Sequence, residues 1–175
     1  MTFLVNGVNL RTRYFGKSQF TPTGQLYSFG YNLYGQLGNN STIIQSSPVQ
    51  IGSNIWAKIS CGYYHTAAIQ SNGTLWAWGL NSYGGLGTSD LTSRSSPVQI
   101  GSNLWTQVAC GYNHTLAIQS NGTLWSCGYN KQGQLGTSDT TNRSSLVQIG
   151  SNIWTQVAAG GYHTLAIQSG GTLWA

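Results

Sequence analysis

Gly73-Thr74-Leu75-Trp76 decides how this chain is read, because it returns as Gly122-Thr123-Leu124-Trp125 and again as Gly171-Thr172-Leu173-Trp174. A looser copy, Gly24-Gln25-Leu26-Tyr27, precedes them, and positions 24, 73, 122 and 171 stand 49 residues apart. Trp56, Trp105 and Trp154 keep the same spacing, and so do His65, His114 and His163. A fixed period of this size marks stacked supersecondary units, each burying its apolar face against its neighbours. The expected organisation is an arm or capping hairpin over residues 1–23, then tandem units at 24–72, 73–121 and 122–170. A truncated fourth unit follows at 171–175. Within the arm, Leu4-Val5-Asn6-Gly7-Val8-Asn9-Leu10 reads as a small hairpin of its own.

One unit shows the local structure. Thr74-Leu75-Trp76-Ala77-Trp78-Gly79 is short, aromatic and closed by Gly, which fits a strand. The Gly- and Asn-rich run Leu80 to Asp90 reads as a loop, and Ser96-Pro97-Val98-Gln99-Ile100 as a second strand. Gly101-Ser102-Asn103 then predicts a turn into a third strand, Leu104 to Cys110. Gly111-Tyr112-Asn113 breaks it, and His114 to Gln119 forms the fourth. Asn72-Gly73 and Asn121-Gly122 read as hairpin turns with positive φ at both residues, replaced by Gly170-Gly171 in the third copy. No window sustains a 3.6-residue period, which excludes a helical repeat. Four short antiparallel strands per unit make a β-propeller blade. The fold class is therefore all-β, a partial propeller of about three four-stranded blades.

Composition agrees. Hydrophobic residues make up 39% of the chain and charged residues 5%, with no Glu. Polar surface must come from Asn, Gln, Ser and Thr, which suit turns and strand edges better than helices. No apolar run approaches the roughly 20 residues of a spanning helix. The net charge of +5 reflects scarce acids, Asp90 and Asp139 alone. Three cations, Arg11, Arg13 and Lys17, crowd the arm and the rest are scattered, which argues against a clustered nucleic-acid surface. The N-terminus lacks the basic segment and apolar run of a signal peptide, leaving the cytoplasm as the default compartment and a virion or cell surface as the other. Cys61 and Cys110 hold equivalent positions and face alike, which disfavours a disulfide between them. With Cys127 they read as small buried hydrophobes.

The pattern Gly-x-Leu-Trp-x-Trp-Gly-x-Asn-x-x-Gly-x-Leu-Gly runs from Gly73 to Gly87, followed by Pro97-Val98 and then Cys110 to Ile118. The other copies run Gly24 to Gly38 with Pro48-Val49 and Cys61 to Ile69, and Gly122 to Gly136 with Ala159 to Ile167; Leu146 replaces the third Pro. This pattern resembles the regulator of chromosome condensation repeat. The resemblance implies a seven-bladed ring whose loops bind partners, in a family that includes exchange factors for the small GTPase Ran and the plant ultraviolet-B receptor. Closed rings need roughly four to eight blades, so three units and a stub predict either a fragment of a longer ring or closure by self-association.

The candidate sites follow from the loops. Tyr31, Asn32, Tyr34, Asn81, Tyr83, Asn130 and Lys131, after each Leu-Trp strand, are expected on one face, and Tyr63, Tyr64, Tyr112, Asn113 and Tyr162, before each His, form a second set. Tyr with Asn gives flat apolar area and adaptable hydrogen bonds, suited to protein or glycan surfaces. Trp56, Trp105, Trp154, the three His residues and Gly73, Gly122 and Gly171 read as structural. Each His is expected to tie down a loop carbonyl, since a zinc site needs four converging ligands and each copy offers only Cys and His. Asp90 and Asp139 read as Asx-turn residues. The ultraviolet-B receptor segment reads Gly-Trp-Arg-His-Thr, and the matching Tyr63-Tyr64, Tyr112-Asn113 and Gly161-Tyr162 lack both Trp and Arg, which argues against photoreception. No acid neighbours a His to make a triad, and no Lys-Ser/Thr follows the Gly-rich loops. The chain thus reads as a non-enzyme without metal or cofactor: a protein-interaction scaffold. The alternatives are a nucleotide exchange factor or a surface structural or glycan-binding part.

Overall fold

A computed structural model describes residues 24–174, so the arm at 1–23 lies outside the described residues. Within them the chain is all strand and loop. The strands are β1 (Gly24–Gly30), β2 (Gln45–Cys61), β3 (His65–Gln70), β4 (Thr74–Gly79), β5 (Arg94–Cys110), β6 (His114–Gln119), β7 (Thr123–Gly128), β8 (Arg143–Ala159), β9 (Thr164–Gln168) and β10 (Leu173–Trp174). Each pairs antiparallel with its sequence neighbours, in the order β1 to β10, and the series does not close on itself. No helix among the described residues is long and apolar enough to cross a membrane.

The predicted turn at Gly101-Ser102-Asn103 does not end a strand. β5 runs through it as one 17-residue strand, with Gly101 at φ 61° and a register shift where Trp76 faces Gln99 but Thr74 faces Leu104. The extra residues form a bulge that bends the strand without breaking it. Before the bulge β5 pairs with β4; after Trp105 it pairs with β6. β2 and β8 behave alike, with Gly52 at 60° and Gly150 at 56°.

Each long strand therefore serves two blades. One complete blade is the second half of β2, β3, β4 and the first half of β5; the next runs from the second half of β5 to the first half of β8. Half-blades flank them: β1 with the start of β2, and the end of β8 with β9 and β10. With each long strand counted as two segments, those before β10 make three sets of four.

The hairpin turns also differ from expectation. Gly73, Gly122 and Gly171 adopt φ 87°, 85° and 89°, but Asn72 and Asn121 do not share the positive region. The amide of Gly73 donates to Gln70 O at 2.9 Å, and Asn72 Oδ1 accepts from Thr74 N at 3.1 Å. Three-residue loops of this kind place a left-handed residue only at their last position, so Asn serves through its side chain.

The core lies between blades. Ala67, Leu75 and Leu86 pack with Trp105, Cys110 and Ala117 of the next blade, and Leu116 and Leu124 with Trp154 and Ala166 of the one after. Burying a side chain such as Leu116 contributes about 1.5–3 kcal/mol. Trp56, Trp105 and Trp154 are buried and meet Trp76, Trp125 and Trp174 edge-on, with centroids 6.2, 6.3 and 6.4 Å apart.

Candidate functional site

The loop after each Leu-Trp strand is built around its Asn. Asn81 is fully buried; its Nδ2 donates to Thr88 Oγ1 and Asp90 O at 3.0 Å and to Thr92 O at 3.3 Å, while its Oδ1 accepts from Leu86 N at 3.0 Å. Asn32 and Asn130 do the same work, accepting from Leu37 N and Leu135 N at 3.0 and 2.9 Å. This corrects the expectation that Asn32, Asn81 and Asn130 face a partner. One amide replaces a turn's missing backbone partners, and that geometry needs it inside the loop.

The remaining candidates come together on one surface. His65 pairs with Gly79 across β3 and β4, which puts the loop before each His beside the loop after each Leu-Trp strand. The two sets are thus a single face, not alternatives. Tyr34 meets Tyr64 edge-on at 4.7 Å, Tyr64 meets Tyr63 at 4.3 Å, and Tyr63 stacks on Tyr112 at 4.2 Å with 12° between planes. Tyr112 stacks in turn on Tyr162 at 5.4 Å, and Tyr129 links Tyr162 to Tyr83. Tyr31 touches Tyr34 and Tyr64, so eight tyrosines form one connected ladder across all the blades. Tyr63, Tyr162, Tyr31, Tyr83 and Tyr34 remain exposed, as does Lys131, while Asn113 is half-buried. Tyr129 was missed by sequence reasoning, though it stands two periods after Tyr31. The hydrogen bond from Tyr63, with partial burial and neighbouring phenols, pushes Tyr64 up to about 12; burial beside Tyr63 raises Tyr112. The face is uncharged at neutral pH apart from Lys131.

Beneath this face the histidines join blades. His65 Nε2 lies 2.8 Å from Thr115 Oγ1 in the next copy, and Thr115 Oγ1 donates to Gly85 O at 2.7 Å. The Thr proton is committed to the carbonyl, which places the His65 proton on Nε2. His114 faces Thr164 at 3.5 Å, and Thr164 donates to Gln134 O at 2.8 Å. The expected carbonyl is reached through a threonine, because the ring stops one side chain short of it. His163, at the open flank, is exposed.

Glycine lets these rings sit so close. A Cβ on Gly111 would lie 2.1 Å from His114 Cε1 and 2.5 Å from Gly160 O. Gly111→Ala is therefore expected to destabilise by about 3 kcal/mol or more, whereas Gly171→Ala, with open space but φ 89°, should cost about 1 kcal/mol. Urea unfolding followed by tryptophan fluorescence checks the ranking.

Asp90 and Asp139 fill Asx turns. Asp90 Oδ1 accepts from Thr92 N at 2.9 Å and Asp139 Oδ1 from Thr141 N at 2.8 Å. Sequence reasoning missed their ion pairs to Arg94 and Arg143, at 2.7 and 2.6 Å. The backbone bonds, more than the arginines, hold both carboxyls below the usual carboxylate range. Cys110 and Cys127 are buried, and burial pushes the Cys110 thiol up to about 12. Cys61, expected to be buried, is exposed: Cys110 is covered by the preceding blade, whose Ser60 Oγ accepts from its amide, and Cys61 has only a half-blade before it. Among the described residues no three His, Cys, Asp or Glu side chains gather as a metal site would require.

The profile of the regulator of chromosome condensation (RCC1) repeat matches residues 23–69, 72–118 and 121–167. The chain belongs to the RCC1 repeat family. A second RCC1 repeat profile matches residues 56–84 and 105–134. The ultraviolet-B receptor UVR8 of Arabidopsis thaliana is 38% identical over 52 residues, covering 28% of this chain and 12% of the receptor. Human WBSCR16 superposes with a TM-score of 0.73 at 23% identity, covering 84% of this chain and 41% of that one. Yeast RCC1 (Prp20), solved bound to Kap60, gives 0.75 at 21%, covering 86% and 39%. The chain thus spans about two fifths of these solved relatives, which place its blades in the RCC1-type β-propeller fold.

Proposed function

We propose that this RCC1 repeat chain is a protein-interaction module whose binding face is the tyrosine-lined end of its blades. The units at 24–72, 73–121 and 122–170 each bring loops to it, and 171–175 begins a fourth. The observation that carries the reading is the convergence of both loop sets into one ladder, with five of its eight tyrosines exposed. Tyrosine gives large, rigid contact area at low entropic cost, which suits recognition. The strands beneath hold the loops by buried amides and inter-blade bonds, so little ordering remains for binding to supply. The yeast relative was solved with Kap60, and another structure of Prp20p from Saccharomyces cerevisiae was described with its binding to Gsp1p and histones. Those partners belong to the yeast protein; binding protein is the part carried over. An exchange-factor role gains no specific support, since Asp90 and Asp139 are both engaged by arginine.

Replacing Tyr63, Tyr83 and Tyr162 together with Ala should leave the unfolding midpoint within about 1 kcal/mol of the parent and lower partner capture at least tenfold. Proteins retained by the immobilised parent and by the triple variant, compared by mass spectrometry, decide it. Equal retention by a folded variant would remove this face as the binding site.

A further inference from the structure

The two flanks of the chain carry complementary halves of one blade. At one flank β1 pairs, among the described residues, only with β2, so it is a Leu-Trp-type strand without the His-Thr-type strand that precedes it in the complete blades. At the other flank β9 is a His-Thr-type strand whose partner β10 covers only Ile167 and Ala166. Residues facing these gaps are exposed where their equivalents inside the chain are not. Phe29 is 64% exposed against 1% for Trp78 and Cys127, and Leu165 is 36% exposed against 1% for Leu116. β1 and β9 contain neither charge nor Pro, the devices that normally protect a sheet edge from pairing.

We propose that β1 of a second copy of this chain docks on β9, completing the open blade and closing a two-copy ring. The register follows from the complete blades, where Thr66 faces Trp78 and Ala67 faces Ala77. Thr164 then faces Phe29, and Leu165 faces Ser28, of the second copy. Leu26 and Tyr27 of that copy take the places of the exposed Leu173 and Trp174 on Ile167 and Ala166.

The cavity at this flank fits the aromatic ring. It measures about 550 Å³ and is lined in part by Gln134, Leu135, Gly136, Ile149 and Thr164. In the first complete blade the equivalent loop receives Trp78, whose Nε1 donates to Gln36 O at 2.9 Å, and a Cβ on Gly38 would touch that indole. At Gly136 the same position meets only Ile149 Cγ2, at 3.4 Å. Phe29 of a second copy fills that space. His163 then meets Thr66 of the second copy as His65 meets Thr115; Thr66 already donates to Gln36 O at 2.9 Å, leaving its oxygen free to accept.

Blade number selects two copies. Each copy holds two complete blades and supplies two halves, so one, two or three copies in a closed ring give three, six or nine blades. Only six lies within the roughly four to eight that close a propeller. The interface is heterologous, and two copies satisfy both junctions at once.

The full chain, 18.8 kDa, should sediment at twice that mass at around 100 µM. A double variant, Ser28→Cys with Leu165→Cys, should form a disulfide linking 28 to 165 between copies on oxidation, identified by peptide mass spectrometry. Phe29→Asp and Leu165→Asp should each sediment as monomers, and their mixture should regain a dimer through the one unaltered junction. The proposal is overturned by a parent that stays monomeric and never links 28 to 165, which would leave these flanks to further repeats of a longer chain. Folded Asp variants that remain dimeric would overturn it too, by placing the interface elsewhere. If the Asp variants fail to fold, the cysteine linkage alone decides.

Discussion

Asn81→Asp, a change of one atom's chemistry with no change in size, is expected to destabilise the protein by about 3–5 kcal/mol. Asn81 Nδ2 faces four acceptors: Thr88 Oγ1, Asp90 O, Asp90 Oδ1 and Thr92 O. A carboxylate there donates nothing, lies against the Asp90 carboxylate and is fully buried. Protonation restores one donor at most, leaving the other acceptors unpaired. Asn40→Asp, on an exposed residue of the equivalent loop in the first copy, should change stability by less than about 0.5 kcal/mol. Repeat arrays can lose two-state unfolding, so the urea midpoint should be paired with hydrogen exchange at Leu86, whose amide bonds Asn81 Oδ1. Loss of protection at Leu86 together with the lowered midpoint is the expected result. An unchanged Leu86 would show that the loop does not depend on the amide.

The second large effect is acid sensitivity between pH 6.5 and about 4. Burial, reinforced by the next histidine in line, pushes both His65 and His114 down to about 4 from an ordinary value near 6.5. The folded state therefore holds both rings neutral while the unfolded chain takes up protons below pH 6.5. The unfolded state binds more protons in this window, so stability is full above it and falls as pH drops. The slope approaches about 1.4 kcal/mol per pH unit for each histidine. The depressed carboxyls of Asp90 and Asp139 act the same way but at lower pH, below their ordinary 3.8. The urea midpoint measured from pH 8 to pH 4 should be flat to about 6.5 and then descend. In His65→Gln with His114→Gln the descent should largely vanish, from a lower plateau. A parallel fall in both proteins would assign the acid effect to other groups.

The strands, the inter-blade tryptophans and the Asx turns were legible because each rests on local chemistry: apolar runs bounded by Gly, or a side chain bonding its own backbone. Three features were not. The blade begins at Trp56, Trp105 or Trp154 and not at the Gly-x-Leu-Trp strand, because a bulge at Gly101 looks in sequence like a turn. Asn81 reads as a loop-surface residue by composition, whereas the unpaired backbone of the same loop draws it inside. His65 and Thr115 are 50 residues apart, and nothing local says that adjacent His and Thr in each copy bond to different neighbours. The joining of both loop sets into one face was within reach, since the hairpin register from His65 to Gly79 already sets them at the same end.

Contacts between the imidazoles and the following copy test the interlocking of blades most directly. Nuclear Overhauser spectra should connect the His65 ring to Thr115 and the His114 ring to Thr164, with the ring proton on Nε2 of His65. Rings that contact only residues of their own copy, or that carry their proton on Nδ1 at neutral pH, would contradict the account.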